Sequence, residues 1–223
     1  MKLDILALGA HPDDIEICAG GFLFKMKKLG YKTGAIDLTR GENGTFGTPE
    51  KRKKESIKAS GIIKLNVRET LDMGDTKVSD NEENRIILAE KIRFYKPTIL
   101  LLPYWKDRHP DHVTTSILGE KASFYAGLKN LKIPLPPHKI KSVFFYQLHE
   151  FVSPSFIVDI SDEFAVKMKA VKAYHSQFGM KEQKNFLEKL ETKAKFCGSL
   201  VKTRFGEPFI SKASLKISDP LKI

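Results

Sequence analysis

The sequence predicts an α/β fold: a mostly parallel sheet with helices on both faces, built as a single domain over residues 1–223. Three observations carry this expectation. Short apolar runs of strand character alternate with longer runs of helical period, as in a parallel sheet covered on both sides. Glycine and proline fall at the joints between the runs. The chain has 223 residues, of which 41% are hydrophobic, enough for one sizeable core.

The elements follow in order. Leu3 to Gly9 is mostly apolar, as a strand buried on both faces is. A helical pattern runs from about Ile15 to Leu29, and Gly30 is a natural stop. Tyr31 to Thr39 reads as a second strand, followed by a glycine-rich loop from Gly41 to Gly47. Thr48 and Pro49 have the character of an N-cap and first helical residue, and Gly61 marks the end of that helix. Val67 to Leu71 is a third strand. Asn81 to Tyr95 has helical period and ends before Pro97. Thr98 to Leu102 (TILLL) is the clearest buried strand. The polar segment PYWKDRHPDH comes next and leads into a helix from about Asp111 to Leu128.

Beyond the proline-rich connection Ile133 to Pro137, strands are expected at Ser142 to Gln147 and Phe156 to Ile160. Ser161, Asp162 and Glu163 open another helix, with the acidic pair at its positive end. A last amphipathic helix is expected over Glu182 to Val201. The tail after Thr203 carries few signals.

Lysine plus arginine is 38 and aspartate plus glutamate 27, a net charge of +11. That balance raises nucleic acid as a partner, but the lysines are dispersed and no recognised nucleic-acid module is present. Cys18 and Cys197 are far apart and in no CxxC pattern, which suits a reducing compartment. No run approaches a membrane span and no secretory signal is seen, so the expectation is a soluble, cytoplasmic protein. The loop Gly41 to Gly47 lacks GxxxxGK[ST], and GAHPDD after the first strand is not GxGxxG. Neither an ATP loop nor a dinucleotide fingerprint is present.

In open α/β sheets, ligands bind beyond the carboxyl ends of the strands. Two segments stand there: Ala10-His11-Pro12-Asp13-Asp14 after the first strand, and His109-Pro110-Asp111-His112 shortly after TILLL. Parallel strands bring both to the same edge. His11, Asp14 and His112 supply two imidazoles and a carboxylate, a donor set suited to catalytic zinc with one position open. Iron, cobalt or manganese also accept such a set. Asp13 is then free to take a proton from water, and His109 to stabilise an oxyanion or protonate the leaving group. His175 is read as a helix-packing or surface residue, Cys18 as a small buried hydrophobe, and His138 and His149 receive no role.

These motifs, AHPDDIE (Ala10 to Glu16) and HPDH (His109 to His112), resemble the LmbE/PIG-L family of zinc-dependent N-acetylglucosamine deacetylases. The wider strings PYWKDRHPDH and SFIVDIS (Ser155 to Ser161) resemble the branch that deacetylates N-acetylglucosaminyl malate in bacillithiol biosynthesis. The resemblance extends from Leu3 to about Val201. It implies a Rossmann-like sheet, the ligands His11, Asp14 and His112, the base Asp13 and the second histidine His109. It also implies a small-molecule glycoside substrate and a homo-oligomer. A malyl aglycone carries two carboxylates, which suits arginine, and Arg108 is the first candidate. The family's Arg-x-x-Glu pair that approaches the sugar corresponds to Arg52 and Glu55. Arg40 and Glu42 border the same loop and are candidates for sugar hydroxyls.

Overall fold

A computed structural model describes residues 1–179 and 184–216. Five parallel strands form its centre: β1 (Ile5–Gly9), β2 (Thr33–Asp37), β3 (Val67–Thr70), β4 (Ile99–Pro103) and β5 (Ser142–Tyr146). With β6 (Phe156–Asp159) and β7 (Gly206–Ile210) they make one seven-stranded sheet of order β3-β2-β1-β4-β5-β7-β6. Alternation along the strands feeds two cores. Leu6, Leu8, Leu100 and Leu102 face one side, while Ile5, Ala7 and Leu101 face the other.

On the first side lie α3 (Glu82–Tyr95) and α4 (Pro110–Gly127). Gly119 of α4 lets it approach the sheet, because a Cβ there would come within 2.4 Å of Leu102. On the other side lies α1 (Asp14–Lys28), against which α5 (Phe164–Val171) packs; α2 (Pro49–Ile62) packs on α5 in turn. A single turn, α6 (His175–Phe178), and α7 (Lys184–Leu200) follow α5 in the chain. Residues 182–183, the expected start of the last helix, lie outside the described residues.

Three features differ from the sequence expectation. The tail after Thr203 contains β7, which inserts between β5 and β6 and runs antiparallel to both. Pro208 in its middle breaks the usual strand pattern, since proline donates no ladder hydrogen bond. The helix after Ser161 starts at Phe164, and Glu163 caps nothing with its side chain; its carboxylate instead takes a 2.6 Å bond from Lys28 of α1. Gly61 lies inside α2, which runs on to Ile62.

Candidate active site

The central adjacency of β1 and β4 decides the site. Their register pairs Ile5 with Ile99 and Ala7 with Leu101, so the loops that leave them open side by side. The first loop feeds α1 and the second feeds α4. Thus His11, Asp13 and Asp14 come from one strand end, and His109, Asp111 and His112 from its neighbour.

His11, Asp14 and His112 are all buried, and their donor atoms lie within 4.8 Å of one another. His11 Nδ1 is 3.6 Å from Asp14 Oδ2, and His112 Nε2 is 3.4 Å from Asp14 Oδ1. Each imidazole turns its other nitrogen to a carboxylate. His11 Nε2 is 3.1 Å from Asp75 Oδ1 and 3.3 Å from Asp111 Oδ2. His112 Nδ1 is 3.0 Å from Asp107 Oδ1. Outer carboxylates fix ring orientation and tautomer, leaving Nδ1 of His11 and Nε2 of His112 for a cation. The donor set therefore fits a divalent metal on the chemistry of both ligand and outer groups.

Electrostatics follow the same arrangement. Burial opposes the charged form of His11, but Asp111, Asp14 and Asp75 outweigh it and push its pKa up to about 12. Burial likewise opposes a charged His112, yet Asp14 and Asp107 raise it to about 9. Asp14 is held well below the usual carboxylate range, because the two imidazoles overcome its desolvation. Burial lowers His109, and its two neighbouring imidazoles reinforce that direction.

Asp13 departs from ordinary backbone geometry. Its φ is 111° in the left-handed region, where a non-glycine residue is strained. Arg52 holds it there. The guanidinium donates to Pro12 O at 2.6 Å, to Asp13 Oδ2 at 3.2 Å and to Gly41 O at 3.2 Å. Gly41 permits this approach, since a Cβ on it would lie 2.1 Å from Arg52 Nη1. Burial pushes Asp13 up to about 7, with Arg52 pulling the other way.

His109 is the N-cap of α4, and its Nδ1 accepts from the Asp111 amide at 3.2 Å. Its ring lies 4.7 Å from that of His11 and 4.8 Å from that of His112. His11, Asp13, Asp14, His109, His112 and Arg108 all line one cavity of about 950 Å³.

The other candidate substrate contacts are engaged by protein groups. Arg52 lines the cavity, but its guanidinium is engaged by Pro12, Asp13 and Gly41 as described. Glu55 is buried and accepts from Ser176 N and Oγ at 2.8 and 2.6 Å, so it fastens α6 to α2. Arg40 is exposed and pairs with Asp72 at 3.2 Å. Glu42 accepts from the Asp75 amide at 2.8 Å, placing it behind the carboxylate that holds His11. None of Glu55, Arg40 and Glu42 lines the cavity among the described residues.

His149, left without a role from sequence, stands at the cavity wall. Its ring stacks 5.4 Å from His112, and its Nδ1 is 2.8 Å from Asp107 Oδ1. Sequence reasoning also misses Asp75 and Asp107. Asp107 lies within the polar run before HPDH, which is a usable signal, whereas Asp75 is reached only through tertiary contact. His175 is exposed, in keeping with a surface reading, and His138 contacts Pro97 O at 2.7 Å. Cys18 is buried, with its thiol on Gln147 O.

A sequence profile of the PIG-L family, described as GlcNAc-PI de-N-acetylase, matches residues 6–123, more than half of the chain. This chain belongs to the PIG-L family. The diacetylchitobiose deacetylase of Thermococcus kodakarensis is 33% identical over 218 residues, covering 91% of this chain and 80% of that protein. Among solved structures, a conserved protein of Thermus thermophilus superposes with a TM-score of 0.92 at 37% identity, covering 97% of this chain and 98% of that one. The N,N'-diacetylchitobiose deacetylase of Pyrococcus horikoshii, solved with an inhibitor, gives 0.84 at 27% identity over 92% and 82%. Family and relatives alike mark this PIG-L member as a deacetylase. No helix among its described residues is long and apolar enough to cross a membrane.

Proposed function

We propose that this PIG-L member is a zinc-type amide hydrolase that removes the acetyl group from N-acetylglucosaminyl malate, as in bacillithiol biosynthesis. The observation that carries the chemistry is the buried His11–Asp14–His112 triangle with Asp13 beside it at the base of a cavity. The observation that favours an acidic aglycone is Arg108, exposed on the wall of that cavity next to His109. A second reading, a neutral N-acetylglucosamine glycoside, is favoured by the likeness to diacetylchitobiose deacetylase.

His11, Asp14 and His112 would hold the ion. When bound, a divalent cation supplies Lewis-acid polarisation of the amide carbonyl and makes nearby water more acidic. The chain's own groups do the rest. Asp13, raised by burial to about 7, takes the proton from the attacking water near neutral pH. Arg52 keeps its carboxylate aimed at the cavity. His109, held through Nδ1 by the Asp111 amide, presents Nε2 to the oxygen that gains charge. Asp13 or His109 then delivers the proton to the departing amine.

The test is acetate release by the metal-loaded chain, with N-acetylglucosaminyl malate, diacetylchitobiose and free N-acetylglucosamine compared side by side. The malate conjugate is expected to have the highest kcat/KM. Preference for diacetylchitobiose would overturn the bacillithiol assignment in favour of the second reading. Metal content measured on the same preparation should show zinc lost from His112→Ala and retained by Asp13→Ala.

A further inference from the structure

The cations around the cavity differ in what neutralises them. Arg52 is committed to Asp13, with Nη2 3.2 Å from its carboxylate. Lys167 of α5 is buried against Glu207 of β7 at 2.6 Å. Lys193 of α7 is different. It is half-buried, and its Nζ donates to Gln147 O at 2.8 Å and toward Leu148 O at 3.4 Å. Among the described residues no carboxylate lies within ion-pair distance of it.

Its position ties it to the chemistry. Gln147 O, which accepts from Lys193, also accepts from the Cys18 thiol at 3.3 Å. Cys18 stands one helical turn after Asp14 on α1. Leu148 leads directly to His149, whose ring stacks on His112. Cys18, Gln147, Leu148, His149 and Lys193 all line the same cavity as the metal-ligating triangle. A desolvated ammonium with only carbonyl partners is costly unless an anion joins it. Burial accordingly pulls its pKa down. Glu207, a buried acid lining the same cavity, is already taken by Lys167 and by the Gly21 and Phe22 amides at 2.9 and 2.6 Å, and Asp107, whose charge reaches Lys193, is bonded to His112 and His149.

We propose that Lys193 is a specificity-determining residue whose ammonium binds an anionic group, a carboxylate on the aglycone, of the glycoside whose acetamide lies over His11, Asp14 and His112. This rests on the deacetylase reading of the same cavity. It makes the enzyme selective for acidic glycosides through a residue of the C-terminal helix, in addition to Arg108 at the rim.

Calorimetric titration of the metal-loaded Asp13→Ala chain, which keeps its metal but leaves the probes intact during the measurement, tests it, with N-acetylglucosaminyl malate and methyl N-acetylglucosaminide as probes. Lys193→Gln should weaken binding of the malate conjugate by roughly 10- to 100-fold, the range for a hydrogen bond to a charged group, and leave the neutral glycoside unchanged. Lys193→Arg should retain most of the preference. Lys195→Gln, which removes a charge paired with Glu191 on the outer surface, should change neither. Equal losses for both probes, or no loss for the malate conjugate, would overturn the assignment. So would equal binding of both probes by the titrated chain with Lys193 intact. Melting temperatures show whether Lys193→Gln folds, and Lys193→Arg decides the matter if it does not. Acetate release is read separately: binding that depends on Lys193 without turnover would sink the deacetylase reading while upholding the anion site.

Discussion

The parallel half of the sheet and its antiparallel edge build the same cavity by different means. Strands β1 and β4 deliver their chemistry in two short stretches, His11 to Asp14 and His109 to His112, each beginning within a few residues of a strand end. The edge made of β7, α5 and α7 contributes Glu207, Lys167 and Lys193, separated by up to 40 residues and brought together only by packing. The first region holds the groups proposed to react. The second closes the wall and ties it to α1, through the Glu207 carboxylate on the Gly21 and Phe22 amides. Catalytic groups can thus be compact in sequence while the walls that select a substrate are dispersed.

Substitutions in each region sharpen this contrast. The largest effect is expected at Asp13. Asp13→Ala should keep its metal and lose about 10²- to 10⁴-fold in kcat, the usual contribution of a general base. Near wild-type turnover by the metal-loaded variant would break the base assignment. On the edge, Lys167→Met strands the buried Glu207 carboxylate, and chemical denaturation should show a loss of about 3–5 kcal/mol. Unchanged stability there would show that the two backbone amides suffice for Glu207.

Asp107→Asn returns to the parallel half. It weakens the group that orients His112, so zinc affinity measured by competition with a chelator should fall by about 10- to 100-fold. The smallest effect is expected far from both regions. Asp80, bonded to Arg85 at 2.6 Å and to Lys121, has its pKa held down to about 2. A carboxyl depressed on folding stabilises above its unfolded pKa of about 3.9, and that contribution fades as pH falls through 2. Near the surface the effect is screened. Asp80→Asn should therefore cost less than about 1 kcal/mol at pH 7. The difference between variant and wild type should shrink steeply in melts between about pH 4 and pH 2 and vanish below pH 2.

The same contrast explains what sequence can reveal. The five parallel strands are legible because each is an apolar run bounded by glycine, proline or charge, as TILLL before PYWKDRHPDH is. The meeting of His11, Asp14 and His112 is legible because HPD runs follow two such strands. β7 is not, since Pro208 and Gly206 weaken a five-residue strand whose partners, β5 and β6, lie far back in the chain. Arg52 shows a subtler limit. Its spacing from Glu55 suggests a pair facing one ligand, but tertiary contacts turn the two apart, Arg52 to Asp13 and Glu55 to Ser176. Spacing along a helix places side chains on a face without saying what meets that face.

Asp13 sits at φ 111°, and this sets a trade-off at the residue proposed as the base. Left-handed geometry costs a side-chain-bearing residue about 1–3 kcal/mol. Selection for folding alone would place glycine there. Asp13→Gly should therefore melt at a higher temperature than Asp13→Ala, although both lack the carboxylate. Any programme that selects variants for thermal endurance without assaying turnover will be drawn toward this position and will extinguish the activity there. On the proposed mechanism, a strained backbone angle is kept where the carboxylate is needed, held by Arg52.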